Sequence, residues 1–181
     1  MASENETPSI PLEEPRMEDR QTLLVAGLMK TYTAATVNEI PLLWRELSPY
    51  LGKIPGQLGR KAYGVVYNMK KPELAYLAGV EVSTASDVPD EFNVVRLPDM
   101  TYAVFPHSGD VSTLKETMSA ILSEWLPASG LRVVQSDEEM PDMLEQYGEA
   151  FDPATGAGDI EVWVPIKNRT RTITVEPSPA V

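Results

Sequence analysis

Two stretches, "YGVVYN" at 63–68 and "YGEAFD" at 147–152, share one order of residue types: an aromatic, a glycine, two residues, a second aromatic, then Asn or Asp. Each is followed by a second alternating run, "LAYLAGVEV" at 74–82 and "DIEVWVPI" at 159–166. Each is preceded by an amphipathic segment with a similar ending, "YLGKIPG" in one case and "WLPASG" in the other. An ordered set of matches at similar separations is the mark of an internal repeat, and the expected fold follows from it.

Working outward, "TLLVAGLM" at 22–29 alternates like a strand. Ile40, Leu43, Trp44, Leu47 and Leu51 then fall at helical spacing. Thr36 and Glu39 have the separation of a capping box, and Pro41 is tolerated because it falls in the first turn. "KAYGVVYN" (61–68) and "LAYLAGVEV" add two strands. From Glu91 the order restarts: "TYAVFPH" (101–107) is a strand, and Leu114, Met118, Ile121, Leu122, Trp125 and Leu126 line one helix face. "LEQYGEAFD" (144–152) and "DIEVWVPI" complete the second set. The expected fold is α+β, a tandem strand–helix–strand–strand repeat over about 20–84 and 91–167. It consists of two antiparallel three-stranded units with pseudo-two-fold symmetry, each carrying a helix on one face, with a ligand groove between them. In this register Tyr76 of the first unit corresponds to Glu161 of the second.

The flanks differ in composition. Residues 1–19 are rich in Pro, Glu and Ser and poor in large apolar groups, as expected of a disordered acidic tail. Residues 168–181 form a C-terminal extension in which "RTRTITV" (169–175) is a candidate terminal strand. The 181-residue chain is 43% hydrophobic, enough for a core, and its 15 Lys plus Arg against 27 Asp plus Glu give a net charge of −12. No basic stripe is present to displace counterions from phosphates, so no direct nucleic-acid binding is expected. Without cysteine, thiolate sites and disulfides are excluded, and the single His and scattered carboxylates lack metal-ligand spacing. Neither a metal nor a cofactor is expected. A signal-peptide pattern and an apolar run of ~18 residues are both missing, so a cytoplasmic protein without membrane contact is expected.

Strand alternation places Ile160, Val162 and Val164 on one face and Glu161 and Trp163 on the other. With the aliphatic set against the helix, Glu161 and Trp163 face the groove, where a carboxylate beside an indole makes a cation receptor. The competing reading is a solvated surface carboxylate. Tyr147 either offers its phenol to the groove or holds a structural place shared with Tyr63. Glu145 is the second acidic candidate, unless it is simply exposed at a strand start, and Tyr76 is a candidate through its register with Glu161. Tyr102 and Phe105 lie on opposite faces of one strand, so one of them faces the groove. Trp44 and Trp125 sit on apolar helix faces and read as core. His107 precedes "SGD", at the entry to the second helix.

"VFPHSGD" (104–110), "WLPASG" (125–130), "EQYGEAF" (145–151) and "IEVWVPI" (160–166) follow one another as in the GyrI-like effector-binding family. With "YGVVYN" and "AYLAGVEV", the chain resembles that family over roughly residues 20–167. The resemblance implies a bacterial small-molecule binding domain of the kind found in AraC-like and MerR-like multidrug regulators, in free-standing drug-binding proteins and in a DNA gyrase inhibitor. It implies ligands that are hydrophobic cations, held by aromatics and a buried acidic residue. Haem-binding relatives proposed for this fold would use a lone His such as His107, but haem is not expected here. With only a polar tail of about 19 residues ahead of this domain and no additional helix-turn-helix segment expected, direct transcriptional control is not expected. The expected function is capture of hydrophobic, cationic aromatic compounds by a sequestering or sensing protein, with contacts from Glu161, Trp163, Tyr147, Tyr76, Glu145, Phe105, Tyr102 and Tyr63. The alternatives are a hydrolase of strained, cyclopropane-containing electrophiles using Glu161 and Tyr147, and an interaction module with a protein partner.

Overall fold

The computed structural model describes residues 11–134 and 140–167. The candidate strand at 169–175 and residues 1–10 of the expected tail lie outside the described residues. The strands are β1 (Arg16–Arg20), β2 (Leu23–Tyr32), β3 (Gln57–Tyr67), β4 (Leu74–Val82), β5 (Asn93–Leu97), β6 (Met100–His107), β7 (Met143–Tyr147) and β8 (Ile160–Ile166). They form an 8-stranded sheet in the order β1-β6-β8-β7-β3-β4-β2-β5, with antiparallel pairing throughout.

Helix α1 (Ile40–Leu47) begins with Pro in its first turn and buries Leu43 and Leu47 completely. Thr36 makes no capping-box bond; its hydroxyl instead accepts the Thr33 N–H at 2.9 Å. Helix α2 (Leu114–Ala120) is entered through Asp110, whose carboxylate accepts the Ser112 N–H at 2.8 Å. It continues through a π-type turn over Ile121–Trp125 and a last turn over Leu126–Ser129, and Gly130 ends it in the left-handed region at φ 69°. Leu122, placed on the apolar face by its spacing, is 38% exposed, because the wider π turn rotates it outward.

Two features depart from the expected units. The three strands β2, β4 and β3 of the first half and β6, β8 and β7 of the second are not separate sheets, since β3 pairs with β7 and makes them one. In addition, residues 16–19, expected in the disordered tail, form β1 together with Arg20, and Leu12 packs against the core. The reason is chemical. "RMEDR" has one apolar residue, so hydrophobic periodicity cannot reveal it, yet the stems and guanidinium groups of its arginines cover aromatic rings.

β1 and β5 close the sheet. Arg20 pairs with Met100 and Leu23 pairs with Leu97, so the β1–β6 and β2–β5 ladders share one register across two-residue links. They amount to a single antiparallel ribbon bent at Gln21–Thr22 and Pro98–Asp99. Asp99 holds the bend by accepting both the backbone N–H and the hydroxyl of Thr22 at 2.6 Å. Side-chain alternation slips by one residue on both strands there, which keeps Arg20, Leu23, Leu97 and Met100 on one face. The sheet is therefore curled into a half-barrel.

The curl divides the core into two faces. On the helix side, Leu43, Leu47, Leu114 and Ile121 pack on Ala78, Val80, Phe105, Val162 and Val164. On the inner side, Leu23, Val25, Tyr63, Leu77, Leu97, Tyr102, Leu144 and Trp163 bury one another, with no helix among the described residues packed on them. Arg20 shows how tight the curl is: from β1 it reaches the Tyr63 hydroxyl on β3 at 3.3 Å, although three strands lie between them in the sheet order. Among the described residues, no helix is long and apolar enough to cross a membrane.

Candidate functional site

β7 reads "MLEQY", and its alternation sends Met143, Glu145 and Tyr147 to the helix side and Leu144 and Gln146 inward. Glu145 is enclosed, with 8% of its surface exposed. The Tyr147 hydroxyl donates to Glu145 Oε2 at 2.7 Å, and the Tyr76 hydroxyl donates to the same oxygen at 2.6 Å. The Trp44 indole N–H in turn donates to the Tyr76 oxygen at 3.0 Å. A chain of donors thus runs from α1 through β4 to β7.

Gly64 makes that chain possible. Tyr76 on β4 must cross β3 to reach β7, and it does so above Gly64, which is paired with Glu145 on one side and Ala78 on the other. A Cβ at position 64 would come within 3.0 Å of both the Tyr76 hydroxyl and the Glu145 carboxylate. Aromatic rings complete the walls. Trp44 stands edge-on to Tyr147 with centroids 5.3 Å apart, Phe151 lies 4.8 Å from Tyr147 on a tilt, and Phe105 meets Trp125 edge-on at 4.8 Å.

Burial pushes the Glu145 carboxyl up from its ordinary value, while the hydrogen bonds from Tyr76 and Tyr147 pull it down; burial wins. Burial also raises both phenols well above their ordinary range, and the Glu145 charge adds to this. Tyr76 and Tyr147 accordingly stay protonated and donate. The site is a buried carboxylate whose hydrogen-bond partners are two neutral phenols, neither of them a cation.

The opposite carboxylate is in a different state. Glu161, expected to wait in the groove for a cation, is held by Arg16 through two bonds, Nη1 to Oε1 at 2.8 Å and Nη2 to Oε2 at 3.2 Å. Its Oε2 also accepts from Gln146 at 3.1 Å and from the Trp163 indole at 3.0 Å. The Arg20 guanidinium lies 4.4 Å above the Trp163 ring and 5.5 Å from that of Tyr63. Alternation had correctly separated Glu161 and Trp163 from the aliphatic set. The helix-free face is closed by curl, however, and residues 16–20 supply the cation from within the chain.

The eight expected contact residues therefore divide by face. Tyr76, Glu145, Tyr147 and Phe105 lie on the helix side. Glu161, Trp163, Tyr102 and Tyr63 lie on the inner side, where the three aromatic side chains are 0–1% exposed. The matched registers fail for the same reason: Tyr76 and Glu161 face opposite ways, as do Tyr63 and Tyr147. Trp44, Gly64 and Phe151 were not among the candidates. An indole on an otherwise aliphatic helix face, needing a partner for its N–H, was the available signal for Trp44. A glycine inside a strand was the signal for Gly64.

Because the Arg16–Glu161 pair is partly exposed, Arg16→Ala is expected to cost no more than about 1 kcal/mol. Urea unfolding should show this as a lower midpoint at unchanged slope. His107 has a structural role at the entry to α2. Its Nδ1 meets the Thr117 hydroxyl at 2.7 Å and its Nε2 donates to the Asp110 carbonyl at 2.7 Å. Two surface hollows, of about 460 Å³ around Thr31 and Lys71 and about 350 Å³ around Tyr50 and Phe92, include none of Glu145, Tyr76, Tyr147 and Trp44 in their linings.

Comparison with known proteins converges on one group. A family described as GyrI-like small molecule binding domain matches residues 13–167. The transcriptional regulator BrlR of Pseudomonas aeruginosa is 28% identical over 153 residues, which are 83% of this chain and 54% of that protein. The chain thus spans about half the length of that curated relative. Among solved structures, SAV2435 bound to tetraphenylphosphonium superposes with a TM-score of 0.68 at 18% identity, covering 86% of this chain and 94% of that one. The EcmrR C-terminal domain gives a TM-score of 0.55 at 14% identity, covering 88% of this chain and 100% of that one. At these identities the structural likeness establishes the fold.

Proposed function

The chain belongs to the GyrI-like small molecule binding domain family, and from that premise we propose that it captures hydrophobic, cationic aromatic compounds over Glu145. The observation that carries this reading is the buried carboxylate bonded, among the described residues, to two phenols and to no cation. A charge held in that state is costly, and a bound cation relieves the cost. Tyr147 and Phe151 offer aromatic rings, each cation–π contact with a ring face contributing roughly 0.5–2 kcal/mol. Glu145 then selects for charge, while ring burial supplies most of the affinity. That SAV2435 has been solved with tetraphenylphosphonium supports this class of ligand.

The halves β2–β4–β3 and β6–β8–β7 are read as two copies of one strand–helix–strand–strand unit meeting at the β3–β7 seam. Trp44, Gly64 and Tyr76 come from the first half and Glu145, Tyr147 and Phe151 from the second, so the ligand lies between them. In this role the protein sequesters such compounds or reports them to a partner.

Tetraphenylphosphonium and tetraphenylborate share one shape and carry opposite charges, which makes them a direct test by calorimetry. At about −0.3 kcal/mol for each of about 25 non-hydrogen atoms, the cation is expected to bind in the micromolar range. The anion should show no heat of binding. Equal affinity for both ions would rule out charge selection, and absence of binding by the cation would rule out the ligand class.

A further inference from the structure

The Glu145 site is sealed in this structure, and one of its walls differs from the rest. Glu145, Tyr76 and Tyr147 are 8%, 1% and 6% exposed, so none of them can meet a ligand unless something moves. Trp44 is only partly buried, yet it bonds the Tyr76 end of the donor chain and packs edge-on against Tyr147. Its neighbours Leu43 and Leu47 are 0% exposed and fasten α1 to the sheet, so the helix can stay in place while the indole rotates. Phe151 is also partly buried, but it touches Tyr147 and makes no bond to the donor chain.

The indole also resembles, in chemistry, the ligand class it keeps out. It places an aromatic ring edge-on to Tyr147 and an N–H on Tyr76, whose own proton is committed to Glu145. An aromatic ring and a positively polarised hydrogen are also what the rim of an aromatic cation presents. We propose that Trp44 is the gate of this site: its side chain occupies the ligand's place in the free protein and swings out to admit the ligand. The inference rests on reading Glu145 as the ligand-facing group. The closed conformer lowers apparent affinity by the fraction of time the gate is open, so a change that removes the indole raises that fraction. Capture is then limited by gate opening when ligand is abundant.

The test is stopped-flow binding of tetraphenylphosphonium to wild type, Trp44→Ala, Trp44→Phe and Glu145→Gln. In the wild type the observed rate should reach a plateau as ligand concentration rises. In Trp44→Ala it should rise linearly, with an association rate constant at least about tenfold higher. Trp44→Phe keeps a ring but loses the N–H bond, and should fall between the two. In the unsubstituted protein, the Trp44 indole N–H should be protected from solvent exchange without ligand and shift on binding. That NMR measurement stands even if a variant folds poorly.

An unchanged association rate in both Trp44 variants, with an indole signal indifferent to ligand, would overturn the gate. Slower association and weaker binding in Trp44→Ala would do the same, making Trp44 a fixed wall. Binding as tight in Glu145→Gln as in wild type would instead overturn the site assignment, whatever the Trp44 variants do. No binding by any of the four proteins would overturn both.

Discussion

Glu145→Gln is expected to weaken capture of tetraphenylphosphonium by about 100-fold or more and, at neutral pH, to make the fold more stable. Both effects come from one buried charge. Burial raises the Glu145 carboxyl above its ordinary value in the folded protein, so the folded state holds this proton more tightly than the unfolded chain does. Between the ordinary carboxyl range and that raised value the folded state carries the extra proton, so stability falls as pH rises through this window. Above it the full penalty persists; below the ordinary range it is absent. Gln keeps an oxygen to accept from Tyr76 and Tyr147 while carrying no charge. Relief of about 1–3 kcal/mol corresponds to a melting temperature about 2–4 °C higher per kcal/mol for a chain of this size. Thermal melts at pH 4 and pH 7.5 check the sign: the variant should gain at the higher pH and little at the lower. Cation affinity should run the other way in the wild type, rising with pH as Glu145 ionises, and lose that dependence in the variant. Such a trade of stability for binding is what a functional site in a core produces.

Gly64→Ala is expected to break the site from beneath without touching a ligand contact. Its new methyl would press on both the Tyr76 hydroxyl and the Glu145 carboxylate, and Tyr76, 1% exposed, has no free space to retreat into. Forcing an extra carbon into a packed core costs about 1–3 kcal/mol. Here the strain falls on the hydrogen bond that positions the carboxylate. Urea unfolding should report the lost stability, and tetraphenylphosphonium binding should weaken by roughly tenfold or more, the effect of losing about one charge-assisted hydrogen bond. A well-folded Gly64→Ala protein that binds as the wild type does would show that the crossing of Tyr76 over β3 has no part in recognition.

Much of this architecture is legible in the sequence, and the reasons for the rest are physical. The six strands β2, β3, β4, β6, β7 and β8 and both helices carry apolar periodicity, and the periodicity locates them. β1 carries charge instead, and β5, "NVVRL", is too short and too partially buried to stand out. Those two strands decide what the inner face becomes. Without them the helix-free face reads as an open groove and Glu161 as its carboxylate; with them the face is closed and Glu161 is paired to Arg16. Glu145 was readable as a helix-side residue, two positions from Tyr147 on the same strand. What alternation cannot tell is that Tyr76, distant in sequence, would arrive at the same oxygen across a glycine. Trp44 shows a further limit: its spacing marks a core face correctly but carries no sign of the hydrogen bond its indole makes.

The account depends on Glu145, and not Glu161, being the carboxylate that meets the ligand. The most direct measurement is calorimetric titration of tetraphenylphosphonium into Glu145→Gln and Glu161→Gln at pH 7.5, side by side. The predicted result is loss of about 100-fold or more in affinity for Glu145→Gln, on the order of 3 kcal/mol, with Glu161→Gln within about twofold of wild type. Retained affinity in Glu145→Gln together with lost affinity in Glu161→Gln would contradict it.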